Sequence, residues 1–481
     1  MSRVRRESAE VVIIGAGPAG ISAAVAAASA GAEVVVIDEA PRPGGRVGGA
    51  PAATAAAGAA VHPGPYDDRL ARLTRVYAEQ PLTHLAGTTV WGLFDDRLVA
   101  TDHPEHPLIE AQYLVIASGA YETPLAFPGW TLPGVMTVGG LQQLRKRQGL
   151  VPRGRVLLSG TGPFLYLAAD QLTADGVEIV AVADSASRAD WIRWGLRLAR
   201  LPALAREGLG YLGRLRRRGI PLLYRRAAVR ALGEERVEAA VIARLDNMYQ
   251  IRAGSELELA VDVLAVNIGF TPATDLTHLA GCQHRLDRRT HHWLPVVDSL
   301  QRTSQSGIYA AGDCGGIGYL PKNLLQGELA GTDAALRLDR ILETEARERI
   351  GRLQRQLRAS AWYGQLLSEI YAFHPGRTAW ADAGTVICRC EGVTREAIVA
   401  SMEAQVSVEL DAVKRLSRAG MGPCQGKLCF PTILGMLAQE LDADRWRAQD
   451  YSARPPLKPI SMHTLAELAE TVQAQEQGEA A

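Results

Sequence analysis

Four cysteines stand in two close pairs near the end of this 481-residue chain. Cys388 and Cys390 lie in CRCEG, and Cys424 and Cys429 in GMGPCQGKLC. The pattern is C-x-C, a gap of 33 residues, then C-x4-C. Thiols so spaced can hold a structural zinc, cycle as a redox disulfide or bind a [2Fe–2S] cluster. Zinc commonly uses C-x2–4-C knuckles, to which C-x-C is poorly suited. The cluster fits best. A tight C-x-C can put two thiolates on one iron, and the second pair can bind the other. The glycines of GMGPCQGKLC free backbone N–H groups to approach the sulfides and tune the potential. Zinc and a vestigial site are the alternatives.

Such a centre needs an electron donor, and the N-terminus offers one. Residues 11–39 read VVIIGAGPAGISAAVAAASAGAEVVVIDE. An apolar run predicts a buried strand, then Gly15-x-Gly17-x-x-Gly20, an Ala-rich helix and a second strand ending in Asp38-Glu39. Gly15 makes the tight turn, Gly17 admits a pyrophosphate, and Gly20 lets the helix pack close to the sheet. The helix N-terminus presents free N–H groups to the phosphates. The acid ending the second strand accepts from ribose hydroxyls; the spacing favours Asp38, with Glu39 beside it. A Gly-rich turn without a ligand is the plain alternative. A lone GxGxxG is weak, but one set between strand and helix with the acid in place is specific.

Three later segments extend the pattern: PRPGGR (41–46), YLVIASGA (113–120) and GIYAAGDCGG (307–316). With them the chain resembles the two-dinucleotide-binding-domain flavoproteins over about residues 8–340. The resemblance implies FAD. It implies FAD contacts at Gly15, Gly17, Pro18, Ala19, Gly20, Asp38 and Glu39, at Gly45 and Arg46, at Ser118 and Gly119, and at Gly312. Asp313 would touch the ribityl and pyrophosphate. Flavin disulfide reductases carry their C-x4-C just after the first βαβ unit. Here no cysteine follows Gly45 until Cys282, so that class is excluded. Cys282 and Cys314 read as small core residues.

The first motif recurs 145 residues later. RVLLSGTGPFLYLAADQLTADGVEIVAVADS (155–185) aligns without gaps. Gly15, Gly17 and Glu39 meet Gly160, Gly162 and Asp184. An internal repeat of this kind predicts a second Rossmann-like domain inserted in the first. One position departs: Leu165 replaces Gly20. A branched side chain there crowds the helix or the pyrophosphate, which argues against NAD(P). The expected fold is therefore α/β, with two Rossmann-like domains and a small helical ferredoxin-like C-terminal domain. The expected boundaries are 1–130 with 276–345 for FAD, 131–275 for the insert, 346–380 for a helical linker, 381–450 for the cluster and 451–481 for a loose tail.

Bulk properties narrow the function. Lys+Arg and Asp+Glu balance at 52 each, so no general charge draws the chain to nucleic acid. No signal peptide and no run of about 18 apolar residues is read, so a cytoplasmic protein is expected. Residues 188–230 hold 12 arginines against two acids and predict amphipathic helices. Their basic face is either simply solvated or docks a partner or an acidic membrane surface, which would make the protein peripheral on the inner membrane.

The order of parts adds a second resemblance, covering the chain up to about residue 450. The C-terminal part resembles the [2Fe–2S] domain of bacterioferritin-associated ferredoxin. The whole resembles the alpha-type subunit of heteromeric bacterial amino-acid dehydrogenases. That group includes opine oxidases, D-hydroxyproline dehydrogenases and hydrogen cyanide synthase, with the alpha-type chain of sarcosine oxidase more distant. It implies a partner resembling amino-acid oxidases that oxidises the C–N bond, a small third subunit, and an acceptor such as a quinone or cytochrome. It also implies an FMN between subunits, for which GYLPKNLLQGELAG (318–331) is the local candidate. Lys322 would hold its phosphate or its N1–C2=O edge, unless it is a plain surface lysine. A flavin takes two electrons together and a [2Fe–2S] centre carries one, so the pair would turn amine oxidation into single-electron flow. The competing function is a self-sufficient NAD(P)H-dependent reductase. A third is a regulatory sensor.

Overall fold

The computed structural model describes residues 6–48, 67–94, 97–405, 408–440 and 452–469. The N-terminal apolar run forms β1 (Arg6–Ile14), whose residues Val11, Val12 and Ile13 are fully buried. Near-continuous apolar runs suit parallel strands covered on both faces. Then come α1 (Pro18–Ala28) and β2 (Val34–Asp38), parallel to β1 with Val11 opposite Val34. α2 (Asp67–Ala78) leads to β3 (Thr83–Ala86) beside β2. An antiparallel pair, β4 (Val90–Phe94) and β5 (Leu98–Thr101), is joined through β6 (Leu108–Ile116), which runs parallel to β1. The order is β3-β2-β1-β6-β5-β4.

β7 (Ala120–Glu122) carries the chain out to the insert. There β8 (Val135–Thr137), α3 (Val138–Gln143), β9 (Arg155–Gly160), α4 (Pro163–Ala174) and β10 (Glu178–Asp184) repeat the Rossmann pattern. The basic stretch forms α5 (Arg188–Leu198), α6 (Pro202–Arg217) and β11 (Leu222–Tyr224). An antiparallel sheet follows, of β12 (Arg226–Leu232), β13 (Ala239–Arg244) and β14 (Leu257–Ala260). β15 (Val263–Asn267) completes the parallel order β11-β10-β9-β15-β8. β16 (Phe270–Pro272) returns antiparallel to β7, so one two-stranded ribbon carries both crossings between the domains.

After α7 (Asp275–Leu279) and the hairpin of β17 (His284–Asp287) and β18 (His292–Pro295), β19 (Ile308–Ala310) lies parallel to β6. α8 (Leu320–Arg337) packs on α1 so closely that a Cβ on Gly331 would fall 2.2 Å from the Ala23 carbonyl. The small residues of the Ala-rich helix are what permit this approach. α9 (Glu343–Ile370) links to the cluster domain, built from β20 (Val386–Cys388), β21 (Val393–Thr394), α10 (Arg395–Glu403), α11 (Leu410–Ser417) and α12 (Phe430–Glu440). The Thr394 hydroxyl caps α10 by accepting from Ala397 N–H. Arg418 caps the C-terminus of α11 in the left-handed conformation, at φ 66°.

The cluster domain is not a separate bead. Phe127, Leu157, Ile242 and Trp380 share one core with Cys388, Ile398, Cys429 and Ile433. The expected loose tail is also corrected where residues 452–469 are described. Leu457 is buried in the core of the first domain and its N–H donates to Trp91 O, while Ile460, Leu465 and Leu468 pack near Trp91. Residues 1–5 and 470–481 lie outside the described residues, as does the 441–451 boundary. Among the described residues, no helix is long and apolar enough to cross a membrane.

Candidate functional site

A cavity of about 2290 Å³ opens at the carboxyl ends of β1 and β2 and runs on toward α5 and α6. It gathers almost every residue expected to meet the dinucleotide. Gly15, Gly17, Pro18 and Ala19 line it, with Asp38 and Glu39, Gly45 and Arg46, Ser118 and Gly119, and Gly312 and Asp313. Gly20 stands behind the loop: a Cβ there would fall 1.7 Å from the Gly15 carbonyl. Its bare Cα lets α1 start against the strand.

The donor set fits a dinucleotide. Gly17 and Tyr319 are the N-cap residues of α1 and α8, and neither caps its helix's first turn with a side chain. Their N-terminal residues line the cavity, so two positive helix ends face it. Gly17 keeps an open approach, the nearest atom to a Cβ there being Gly45 Cα at 4.0 Å. The buried Asn323 Oδ1 has no partner, while its Nδ2 donates to Asp313 Oδ1 at 3.0 Å. Asp313 also accepts from Gly318 N–H at 2.9 Å, and burial pushes its carboxyl pKa up. Lys322 does not line the cavity; its half-buried ammonium donates to Gly316 O at 2.6 Å. Asp38 turns both oxygens inward, accepting from Ala16 and Ala40 N–H. Glu39 pairs with Lys458 of the docked tail.

The second fingerprint has the same backbone and a different occupant. Gly160 and Gly162 keep positive φ, 152° and 91°. A Cβ on Gly162 would lie 2.6 Å from the ring of Tyr371, just past α9. That ring stands where a pyrophosphate approaches the second glycine of such a loop. Asp184 is fully buried. It accepts from Tyr166 Oη and Trp191 Nε1, both at 2.7 Å, and from Ala186 N–H at 2.9 Å; burial pushes its carboxyl up to about 6. The buried Arg377 donates to Ser185 Oγ at 3.0 Å beside it. Leu165, the departure from the pattern, is fully buried in the core of the insert. Gly160, Gly162 and Asp184 are absent from the cavity lining, although Pro163, Phe164 and Tyr371 beside them belong to it.

The four cysteines converge as two neighbouring pairs. Cys388 lies beside Cys429, and Cys390 beside Cys424. The Cys429 thiol, with the Gly420, Glu391 and Cys390 amides, brings Cys388 down to about 6 despite burial. Amides aimed at sulfur suit a thiolate centre. Cys388 and Cys429 are buried and Cys390 is exposed, so one side of the centre reaches the surface. Gly422 leaves the room, since a Cβ there would fall 2.3 Å from Cys390 Cβ. Among the described residues no three His, Cys, Asp or Glu side chains converge on one metal position. These pairs cross the two motifs, whereas the spacing set Cys388 with Cys390 and Cys424 with Cys429.

Sequence reading missed Tyr371, Arg377 and Lys458, which arrive from far along the chain and carry no motif. It also missed Lys427, whose one signal was its place inside CQGKLC.

Comparison with known proteins places the chain in a family. Residues 9–337 match the pyridine nucleotide-disulphide oxidoreductase family, and residues 386–439 the BFD-like [2Fe-2S] binding domain. The chain is 35% identical to an opine oxidase subunit of Rhizobium meliloti (strain 1021), over 96% of this chain and 99% of that one. It is 34% identical to the HcnB subunit of hydrogen cyanide synthase from Pseudomonas aeruginosa, over 87% and 90%. The solved L-proline dehydrogenase from P. horikoshii shares the fold, with a TM-score of 0.65 at 20% identity, over 97% of this chain and 81% of that one. With an FAD site in its first Rossmann domain and a [2Fe–2S] site at its C-terminal end, the chain belongs to the pyridine nucleotide-disulphide oxidoreductase family, among the alpha-type subunits of heteromeric dehydrogenases.

Proposed function

We propose that this chain is the electron-transfer subunit of a heteromeric dehydrogenase that oxidises an amino or imino acid of the opine, hydroxyproline or glycine type. A partner flavoprotein removes the substrate's electrons, and this chain passes them to an external acceptor such as a quinone or cytochrome. The observation that carries this reading is the contrast between the two fingerprints. The first opens on a cavity fit for FAD, and the second is filled by Tyr371 and sealed at Asp184. A self-sufficient NAD(P)H reductase would need the second to be open.

Bound FAD supplies two-electron chemistry and the cluster one-electron carriage. The chain's own residues bind and orient. Gly15, Gly17 and the N-terminus of α1 would hold the pyrophosphate, and Glu39, not the inward-turned Asp38, the ribose. Asp313, braced by Gly318 and Asn323, would take the ribityl. Cys388, Cys390, Cys424 and Cys429 would ligate the irons. Lys322 would act on any FMN through the loop at Gly316. α5 and α6 expose Ile192, Leu196 and Leu209 at the cavity. That face would receive the partner.

The test is anaerobic EPR of the chain co-expressed with a neighbouring amino-acid-oxidase-like flavoprotein. A reduced [2Fe–2S] signal raised by an amino acid, and by neither NADH nor NADPH, is expected. A signal raised by a nicotinamide alone would make the chain a reductase.

A further inference from the structure

The loop between Cys424 and Cys429 sends one side chain out of the cluster domain. Among that domain's described residues, Lys427 alone lines the flavin cavity. Its ammonium lies 3.2 Å from Asp275 Oδ2, and each of these side chains is only 11% exposed. It also donates to the Cys424 carbonyl at 3.3 Å and stands 5.6 Å from the centroid of the Tyr121 ring. Arg46 lies over the same ring at 5.1 Å. Tyr121 is in β7, and Asp275 opens α7 just past β16, so both sit at the two crossings between the domains. A ligand-bearing loop is thus pinned to the cavity wall by one buried ion pair.

We propose that Lys427 is a positioning residue for electron transfer between flavin and cluster. Its pair with Asp275 holds the Cys424–Cys429 loop against the flavin cavity, and its charge favours the reduced cluster. This rests on the chain being a flavin-to-cluster conduit. Four thiolates make the centre an anion, and each added electron makes it more negative. A cation three residues from one ligand and two from another therefore raises the potential, and the carboxylate beside it offsets part of that effect. The two partners pull in opposite directions on potential while serving one clamp. A prop without an electrostatic role would not separate them.

The experiment is a mediated redox titration of the purified full chain, read by cluster EPR and flavin absorbance, with stopped-flow reoxidation. It needs no substrate, so an error in the proposed substrate class leaves it intact. Lys427→Met should shift electron sharing about tenfold away from the cluster, 59 mV for one electron. Asp275→Asn should shift it the other way. Both should slow flavin–cluster transfer about tenfold, and Lys427→Arg should restore both readouts. Shifts of the same sign in the two variants, or unchanged potential and rate, would overturn the proposal. So would loss of the cluster in Lys427→Met but not in Lys427→Arg, which would make Lys427 a structural prop. If wild-type chain gives no cluster signal with dithionite, the conduit reading itself has failed.

Discussion

The two Rossmann units of this chain share one pattern and differ in what stands opposite it. In the first, Gly17 faces open space and both helix ends beside it are uncapped. In the second, Gly162 faces the Tyr371 ring, Leu165 fills the space under the helix, and Asp184 is surrounded by donors from its own domain. The backbone signature survives in both because positive φ and close strand–helix packing are needed whether or not a ligand binds. A glycine fingerprint therefore reports a turn. What stands opposite the turn reports the ligand.

That contrast can be broken most forcefully by exchanging the divergent residue. Gly20→Leu gives the first unit the residue of the second and should lower bound FAD at least tenfold, measured as flavin per purified chain. Leu165→Gly should not raise NADPH binding by titration calorimetry, but should cost about 3 kcal/mol in urea denaturation because a buried leucine is removed. Tyr371→Ala probes the plug alone. It should cost about 3 kcal/mol for a lost aromatic, and ADP should still not bind, because Asp184 stays sealed. Binding of ADP would show that one ring was the whole difference.

His374 sharpens the contrast through pH. It stacks on Tyr249 at 3.6 Å, beside Arg377. Burial, with Arg377 and Arg225 nearby, holds it down at about 3. Its folded pKa lies below the unfolded value of about 6.5, so its contribution is present above pH 6.5 and lost as pH falls toward 3. His374→Phe should remove about 2 kcal/mol of the stability lost between pH 7 and 4.5, measured by urea denaturation at both. The smallest effect belongs to the open unit. Lys458→Met frees Glu39 from its tail partner and should change FAD affinity only a few-fold, read by fluorescence titration of the apoprotein.

What was legible in the sequence was local. Gly15 to Glu39 form one continuous strand–loop–helix–strand, and CRCEG and GMGPCQGKLC each fit within one turn of chain. The substitution at Leu165 flagged the second site from a single position. What was not legible is what long-range packing supplies. Tyr371 meets Gly162 from beyond the whole insert and α9. Asp275 meets Lys427 only because the domain-crossing ribbon places it there. The segment after residue 450 looked loose because it is polar and Pro-rich, yet among its described residues Leu457 is buried in one core and Ile460, Leu465 and Leu468 pack against another, in slots no periodicity announces. Between Asp38 and Glu39 the spacing favoured Asp38, and it could not show that both Asp38 oxygens accept from the Ala16 and Ala40 N–H groups, which is why Glu39 is the one proposed for the ribose.

Cys388 and Cys429 sit in the same core as Phe127, Leu157 and Ile242. Iron binding at these thiols would therefore be coupled to the folding of the flavoprotein body. A chain made under iron starvation is left with unligated thiols in the packing that also holds the insert. Irons bound by these thiols would stabilise that shared packing along with the cluster domain itself.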